Sequence, residues 1–294
     1  MLAEKYIELL KNALLGELYF ENELRIITAV AALADGRELS LDLIHDVRPQ
    51  TELRKVLKES KRCGTMLTVA QRTPEGRFVP NYALRNYTEL SHTLIGRARL
   101  DNIQCAIERI LEDDVPGDLI ETGVWRGGAT IFMRGVLAAY GVRDRNVWVA
   151  DSFDGVPAPS MPQDANFDFS KKTWPFLAVG LPEVKDLFDR YGLLDDQVRF
   201  LKGWFKDTLP TAPIARLALL RLDGDLYEST MDALRALYDK VSEGGFIIVD
   251  DYFSCPPCQA AADEFRAVRK ISDPLTEIDE QSVFWRKRLA PSEP

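Results

Sequence analysis

The sequence predicts an α/β protein: a Rossmann-like sheet, mostly parallel with an antiparallel edge strand, preceded by a helical N-terminal cap. Three observations predict it. From residue 118 onward, short apolar runs alternate with stretches of helical periodicity, the pattern of strands joined by crossover helices. Each of the five apolar runs ends on, or next to, an acid or a glycine, as expected where strand ends face a ligand cleft. Residues before 118 lack that alternation and show helical periodicity broken by polar joints. We divide the chain as 1–100, a cap expected to shape the substrate pocket and an oligomer contact, and 101–294, the main domain.

Each element follows in order. "EKYIELLKNALLG" and "ELRIITAVAALADG" carry apolar residues at i, i+3, i+4 spacing and stop at Gly, so both read as amphipathic helices. "RKVLKESKRCGTML" continues the pattern, and "TPEGRFVPN" is a turn-rich loop. Helix resumes near Arg97 in "TLIGRARLDNIQCAIERILEDDVPG" and must end before Pro116. The strands are "DLIETG", "NVWVAD", "VRFLKG", "LALLRLD" and "GFIIVDD". Between them lie the helical segments "GATIFMRGVLAAYG", "EVKDLFDRYGL" and "STMDALRALYDKV". The tail "DPLTEIDEQSVFWRKR" reads as two more strands joined by "DEQS", a hairpin at the sheet edge.

Composition narrows the function. Hydrophobic residues are 46% and charged residues 28% of 294 residues, an ordinary globular balance. The formal charge of −9 disfavours nucleic acid or an anionic membrane as partner. No window approaches 18 uncharged apolar residues, so no membrane span is expected. The opening helix carries acids, unlike a signal or transit peptide. Four cysteines in a chain this long do not make a disulfide framework, and a cytoplasmic protein is expected.

Strand ends carry the chemistry. The first, Glu121-Thr122-Gly123, runs through Gly127-Gly128 into a helix, where glycine allows a sharp turn and close approach of a ligand to the helix N-terminus. Asp151 closes the second strand, 28 residues past Gly123, where an acid typically accepts from ribose hydroxyls. A helix N-cap in "DSFDGVP" explains Asp151 equally well. Together the two ends point to a nucleoside-containing cofactor without separating NAD from S-adenosylmethionine. Adjacent fourth and fifth strands would bring Asp223 near Asp250 and Asp251. Three converging carboxylates repel unless a cation or an arginine sits among them. An all-oxygen set suits Mg²⁺, Ca²⁺ or Mn²⁺.

"HTLIGRARLDNIQ", "GDLIETGVWRGGATIFMRGVLAAYG", "VADSFDGVP" and "LRLDGDLYESTMDALRALYDKVSEGGFIIVDDY" closely resemble the macrocin O-methyltransferase (TylF-type) family over roughly residues 88–287. The resemblance implies a class I S-adenosylmethionine-dependent O-methyltransferase with bound Mg²⁺, acting on a sugar hydroxyl of an antibiotic-type natural product. It assigns Thr93, Glu121, Gly123, Asp151, Ser152, Gly203 and Trp204 to the cofactor. It assigns Asp223, Asp250 and Asp251 to the metal, with Asp223 also the general base. His92 and Tyr252 are expected at the substrate. A small hydroxylated acceptor and a homo-oligomer, dimer or larger, are expected as partners. A nicotinamide-dependent oxidoreductase and a non-catalytic cofactor-binding scaffold stand as alternatives; the first lacks G-x-G-x-x-G, and the second has no use for the acidic triad.

Three further features have bland readings. Cys255-Pro-Pro-Cys258 fits a helix start at Pro257, with Cys258 in the first turn and a structural role for both cysteines. His45 reads as structural. "FDFSKKTWPF" lies in a long loop after the second strand and reads as a lid over substrate or a surface loop.

Overall fold

The structure is a computed structural model, and it describes residues 2–19 and 91–288 together with a few positions between, chiefly 70–72 and 78–80. The helices expected over "ELRIITAVAALADG" and "RKVLKESKRCGTML", and His45, lie outside the described residues. The chain divides into two compact units, Met1–Lys11 with Ile95–Pro294, and Asn12–Leu94.

In the smaller unit, β1 (Ala70–Arg72) pairs antiparallel with β2 (Phe78–Pro80). The second half of "TPEGRFVPN" is therefore a short strand, ending at a proline, which sheets tolerate at strand ends and edges.

The larger unit is a seven-stranded sheet. Its strands are β3 (Asp118–Thr122), β4 (Val147–Asp151), β5 (Val198–Lys202), β6 (Leu217–Leu222), β7 (Val241–Val249), β8 (Thr276–Glu277) and β9 (Val283–Arg286). The order is β5-β4-β3-β6-β7-β9-β8. The first five run parallel, and β9 inserts antiparallel between β7 and β8. The tail hairpin thus forms as expected, with the antiparallel strand one place in from the edge.

Among the described residues the α-helices are α1 (Leu2–Leu14), α2 (Arg97–Glu112), α3 (Gly128–Ala139), α4 (Leu181–Arg190), α5 (Phe205–Thr208), α6 (Tyr227–Leu237) and α7 (Pro256–Val268). α6 and α7 bury Leu234, Leu237, Ala261 and Phe265 with Ile120, Leu220, Leu222, Ile247 and Val249 of the sheet. Strand alternation turns Leu119, Glu121, Leu219 and Arg221 to the opposite face. That face is covered by α2 and α3, which pack on each other and bury Leu100, Ile103, Ile107 and Phe132. α1 adds Ile7 and Leu10 there, and Lys11 bonds Asp101 of α2 at 2.5 Å. β6 is buried along its full length, which is why it reads as an almost unbroken apolar run.

α7 begins at Pro256 with Cys255 at its N-cap. Cys255 and Cys258 are free and buried, and the Thr230 hydroxyl reaches the Cys258 sulfur at 3.5 Å, which fits the structural role. Among the described residues, no helix is long and apolar enough to cross a membrane.

Candidate active site

The carboxyl ends of β3, β4, β6 and β7 form one edge. Three non-glycine residues just past strand ends take left-handed backbone angles: Trp125 (φ 49°) after β3, Phe153 (φ 55°) after β4 and Asp225 (φ 57°) after β6. Such conformations cost of order 1–3 kcal/mol each and persist where the surroundings hold them. Here they turn each chain away from the cleft within two or three residues of the strand end.

Gly123 shows why the first turn needs glycine. Its φ is +89°, and a Cβ there would sit 1.8 Å from the backbone oxygen of Asp223. The ends of β3 and β6 are stitched beside it, the Asp223 amide donating to the Thr122 carbonyl at 2.9 Å. The cofactor-side turn and the first expected metal ligand are therefore in backbone contact.

Asp151 ends β4. Its Oδ2 accepts from the Val124 amide at 2.8 Å and its Oδ1 from the Phe153 amide at 2.6 Å. Its carboxylate thus ties the turns after β3 and β4 together. Burial raises its proton affinity, against the pull of those amides. Ser152 builds the same turn: its hydroxyl donates to the Gly155 carbonyl at 2.7 Å and accepts from the Asp154 amide at 3.0 Å. The Gly203 amide donates to the Asp151 carbonyl at 2.9 Å, which brings the end of β5 alongside, and Trp204 at the start of α5 is partly exposed.

On the far side of Gly123, Asp223, Asp250 and Asp251 each offer an oxygen within 4.8 Å of the others. Two arginines join them. Arg221, fully buried in β6, lies directly across from Glu121 of β3 in the sheet register. Its Nη1 donates to Glu121 and, at 2.7 Å, to Asp223; its Nη2 donates to Asp250. Arg99 of α2 donates to the other Asp250 oxygen at 2.5 Å, to Asp279 at 2.8 Å and to Gln281 at 2.6 Å. The Ser282 hydroxyl donates to the Asp250 carbonyl at 2.5 Å.

The arginine answer to the paired acids holds for one of them. Asp250 is saturated by arginines, whereas Asp251 is not: its Oδ1 accepts from Ser254 at 3.0 Å, and its Oδ2 is buried without a partner. Burial, then the charges of Asp225, Asp223 and Asp250, raises the Asp251 carboxyl well above the ordinary range. Partial burial and Asp250 raise Asp223. Burial raises Glu121 to about 8, opposed by Arg221 and reinforced by Asp223 and Asp250. Five carboxylates (Glu121, Asp223, Asp250, Asp251 and Asp279) around two guanidiniums, with buried orphan oxygens on Glu121 and Asp251, are a donor set short of positive charge. A hard divalent cation fits it.

Three expected residues remain. Tyr252 points into the α6–α7 core, its hydroxyl donating to Asp263 at 2.6 Å, and its neighbour Phe253 is the exposed one. Thr93 and His92 belong to the smaller unit. The Thr93 carbonyl accepts from the Ser91 hydroxyl at 2.8 Å, and the His92 amide donates to Leu14 at 2.9 Å.

The loop 152–180 is folded down. Asp164, fully buried, accepts from the amides of Tyr227 at 2.7 Å and Glu228 at 3.2 Å, capping α6 from a distance. Trp125 Nε1 donates to the Phe176 carbonyl at 2.9 Å, and Phe167 and Phe169 pack on the core. Sequence reasoning missed Arg99, Arg221 and Asp164. Arg221 left a signal, a lone charge inside the apolar run "LALLRL".

Compared with known proteins, residues 3–287 match the family model Macrocin-O-methyltransferase (TylF). The chain belongs to the macrocin O-methyltransferase (TylF) family. It is 55% identical over 206 residues to demethyldecarbamoylnovobiocin O-methyltransferase of Streptomyces niveus, covering 69% of this chain and 78% of that protein. It is 48% identical over 259 residues to 8-demethyl-8-(2,3-dimethoxy-alpha-L-rhamnosyl)-tetracenomycin-C 4'-O-methyltransferase of Streptomyces olivaceus, covering 87% and 95%. The solved structure of the O-methyltransferase NovP is 40% identical, covers 98% of this chain and 100% of that one, and superposes with a TM-score of 0.74. This member of the TylF family is an S-adenosylmethionine-dependent O-methyltransferase of class I fold. The oxidoreductase and scaffold alternatives fall with that membership.

Proposed function

We propose that this enzyme methylates a sugar hydroxyl on a glycosylated natural product, with Mg²⁺ held by Asp223, Asp250 and Asp251 and with Asp223 as general base. The observation that carries the reading is the charge-deficient acid cluster, with its orphan Asp251 oxygen, set in backbone contact with the turn at Gly123. The printed substrates of the two relatives, a novobiocin precursor and a rhamnosyl-tetracenomycin, support the acceptor class.

A bound divalent cation supplies Lewis acidity that lowers the pKa of a nearby hydroxyl. The rest is work for the chain. Asp223 Oδ2 is held by Arg221, which leaves Oδ1 to accept the acceptor's proton. Burial and the neighbouring Asp250 make that carboxylate more basic than an ordinary one. Asp151 spends two acceptor positions on amides and keeps lone pairs for ribose hydroxyls. Glu121, Gly123 and Ser152 shape the methionine and ribose side, and Gly203 and Trp204 the adenine side. In-line placement of oxygen and methyl supplies much of the rate.

Residues 1–100, with Thr93 and His92, are assigned to cofactor closure, acceptor selection and assembly of a homo-oligomer. The free cysteines fit a reducing, cytoplasmic setting. The test is Asp223→Asn, which keeps an oxygen for the ion and cannot take the proton. Single-turnover methyl transfer to a panel of glycosylated natural products should fall at least about 10²-fold at saturating Mg²⁺. Wild-type rates would remove Asp223 as the base.

A further inference from the structure

Arg221 touches both halves of the site. One guanidinium serves the acid of the cofactor turn, Glu121, and two acids of the metal cluster, Asp223 and Asp250. The sharing is tight: Nη1 alone donates to both Glu121 and Asp223. Arg221 is fully buried, so water does not make up what one partner loses. Glu121 keeps one buried oxygen, Oε2, without a partner, and so does Arg221 at Nε. Glu121 on β3 and Arg221 on β6 are also fixed in register, so neither can follow the other away.

We infer that Arg221 is a positioning residue that couples the two sites, so that a divalent cation on the acid cluster tightens cofactor binding and the cofactor tightens the cation. The inference rests on the metal reading proposed above. The sign follows from the sharing. Without the cation, Asp223 and Asp250 compete with Glu121 for one guanidinium. With the cation drawing on those two acids, the guanidinium is left to Glu121, which is then held as an oriented carboxylate facing the cofactor turn. Linkage makes the effect reciprocal and of equal size at both sites. Arg99 does not do this, because its partners Asp250, Asp279 and Gln281 all lie on the cluster side.

The experiment uses the full chain and binding alone. S-adenosylhomocysteine, whose neutral sulfur avoids repulsion by the ion, is titrated calorimetrically with and without saturating Mg²⁺. Mn²⁺ is titrated by electron paramagnetic resonance with and without S-adenosylhomocysteine. The wild type should show the same gain, at least about five-fold, in both directions. Arg221→Lys should bring both ratios to about one while each ligand still binds alone. Should that variant not fold, Glu121→Gln, which leaves Arg221 in place, should abolish the ratio as well. Independent binding of the two ligands by the wild type, or an unchanged ratio in both variants, overturns the inference and leaves the metal reading standing. A wild type that binds S-adenosylhomocysteine but no Mn²⁺ overturns the metal reading and the inference with it.

Discussion

Replacing Gly123 by alanine should disable the enzyme through Asp223, a residue 100 positions away. The added Cβ would stand 1.8 Å from the Asp223 backbone oxygen and 2.8 Å from its carbonyl carbon, where ordinary contact begins at 3.4 Å. A backbone carbonyl cannot rotate aside, and this one belongs to a strand end bonded to Thr122. Relief therefore requires β3 and β6 to part by more than an ångström at their tips. The left-handed φ adds about 1–3 kcal/mol and the overpacking about 1–3 kcal/mol more. A displacement of that size at a catalytic group costs roughly 10²-fold in rate. We expect kcat/KM to fall at least about 10²-fold and stability by about 2–6 kcal/mol, read by steady-state kinetics and urea unfolding. Gly141→Ala is the control: its φ is +69°, with nothing within 4 Å of the added atom. It should cost only about 1 kcal/mol and leave turnover unchanged. If Gly123→Ala behaves like Gly141→Ala, the two strand ends are not in the contact described, and the reasoning fails.

Asp151→Ala should lower affinity for S-adenosylhomocysteine roughly 10- to 150-fold by calorimetry, the loss of charge-assisted hydrogen bonds of about 1.5–3 kcal/mol. An unchanged dissociation constant would make Asp151 a turn residue only. Asp164→Ala leaves one buried and one half-buried amide of α6 unpaired and should cost about 2–4 kcal/mol in urea unfolding. A loss below about 0.5 kcal/mol would show that α6 starts unaided. Mn²⁺ affinity should weaken as pH falls, and should begin to do so above the ordinary carboxylate range, because Asp223 and Asp251 hold protons more tightly than ordinary carboxylates and their protonated forms cannot bind the ion. A flat profile would contradict their raised proton affinities.

The fold was legible because its elements carry one clear period each. "LALLRL" is apolar on both faces as a central parallel strand must be, and "EVKDLFDRYGL" places Val184, Leu187 and Phe188 on one buried stripe. The acids at the strand ends were legible for the same reason: a carboxylate at the end of an apolar run has to be accounted for. Their partners were not. Arg99 sits on a helix 151 positions from Asp250, and only the packing of α2 on the sheet brings them together. Asp164 looked like one more polar loop residue, since a cap supplied from 63 positions away leaves no local mark. The left-handed angles at Trp125, Phe153 and Asp225 fall on residues whose types do not announce them. The direction of the Tyr252 ring was not legible either, since a position beside the acids says nothing about which way a ring turns. Family membership added what no local pattern contains, the choice of S-adenosylmethionine over a nicotinamide.

The insertion of β9 between β7 and β8 sets the order in which the parts of the site can assemble. Asp250 closes β7, yet Arg99 is steadied by Asp279 and Gln281, and the Asp250 carbonyl is bonded by Ser282, all in the last hairpin. Those groups lie beyond Asp250 in sequence, so they arrive after β7. A nascent chain can pair β3, β4, β5, β6 and β7 and fold the cofactor turn while its acid cluster still lacks these supports. The sheet and the cofactor turn can therefore form before the acid cluster does, and the cluster is completed only when the hairpin docks.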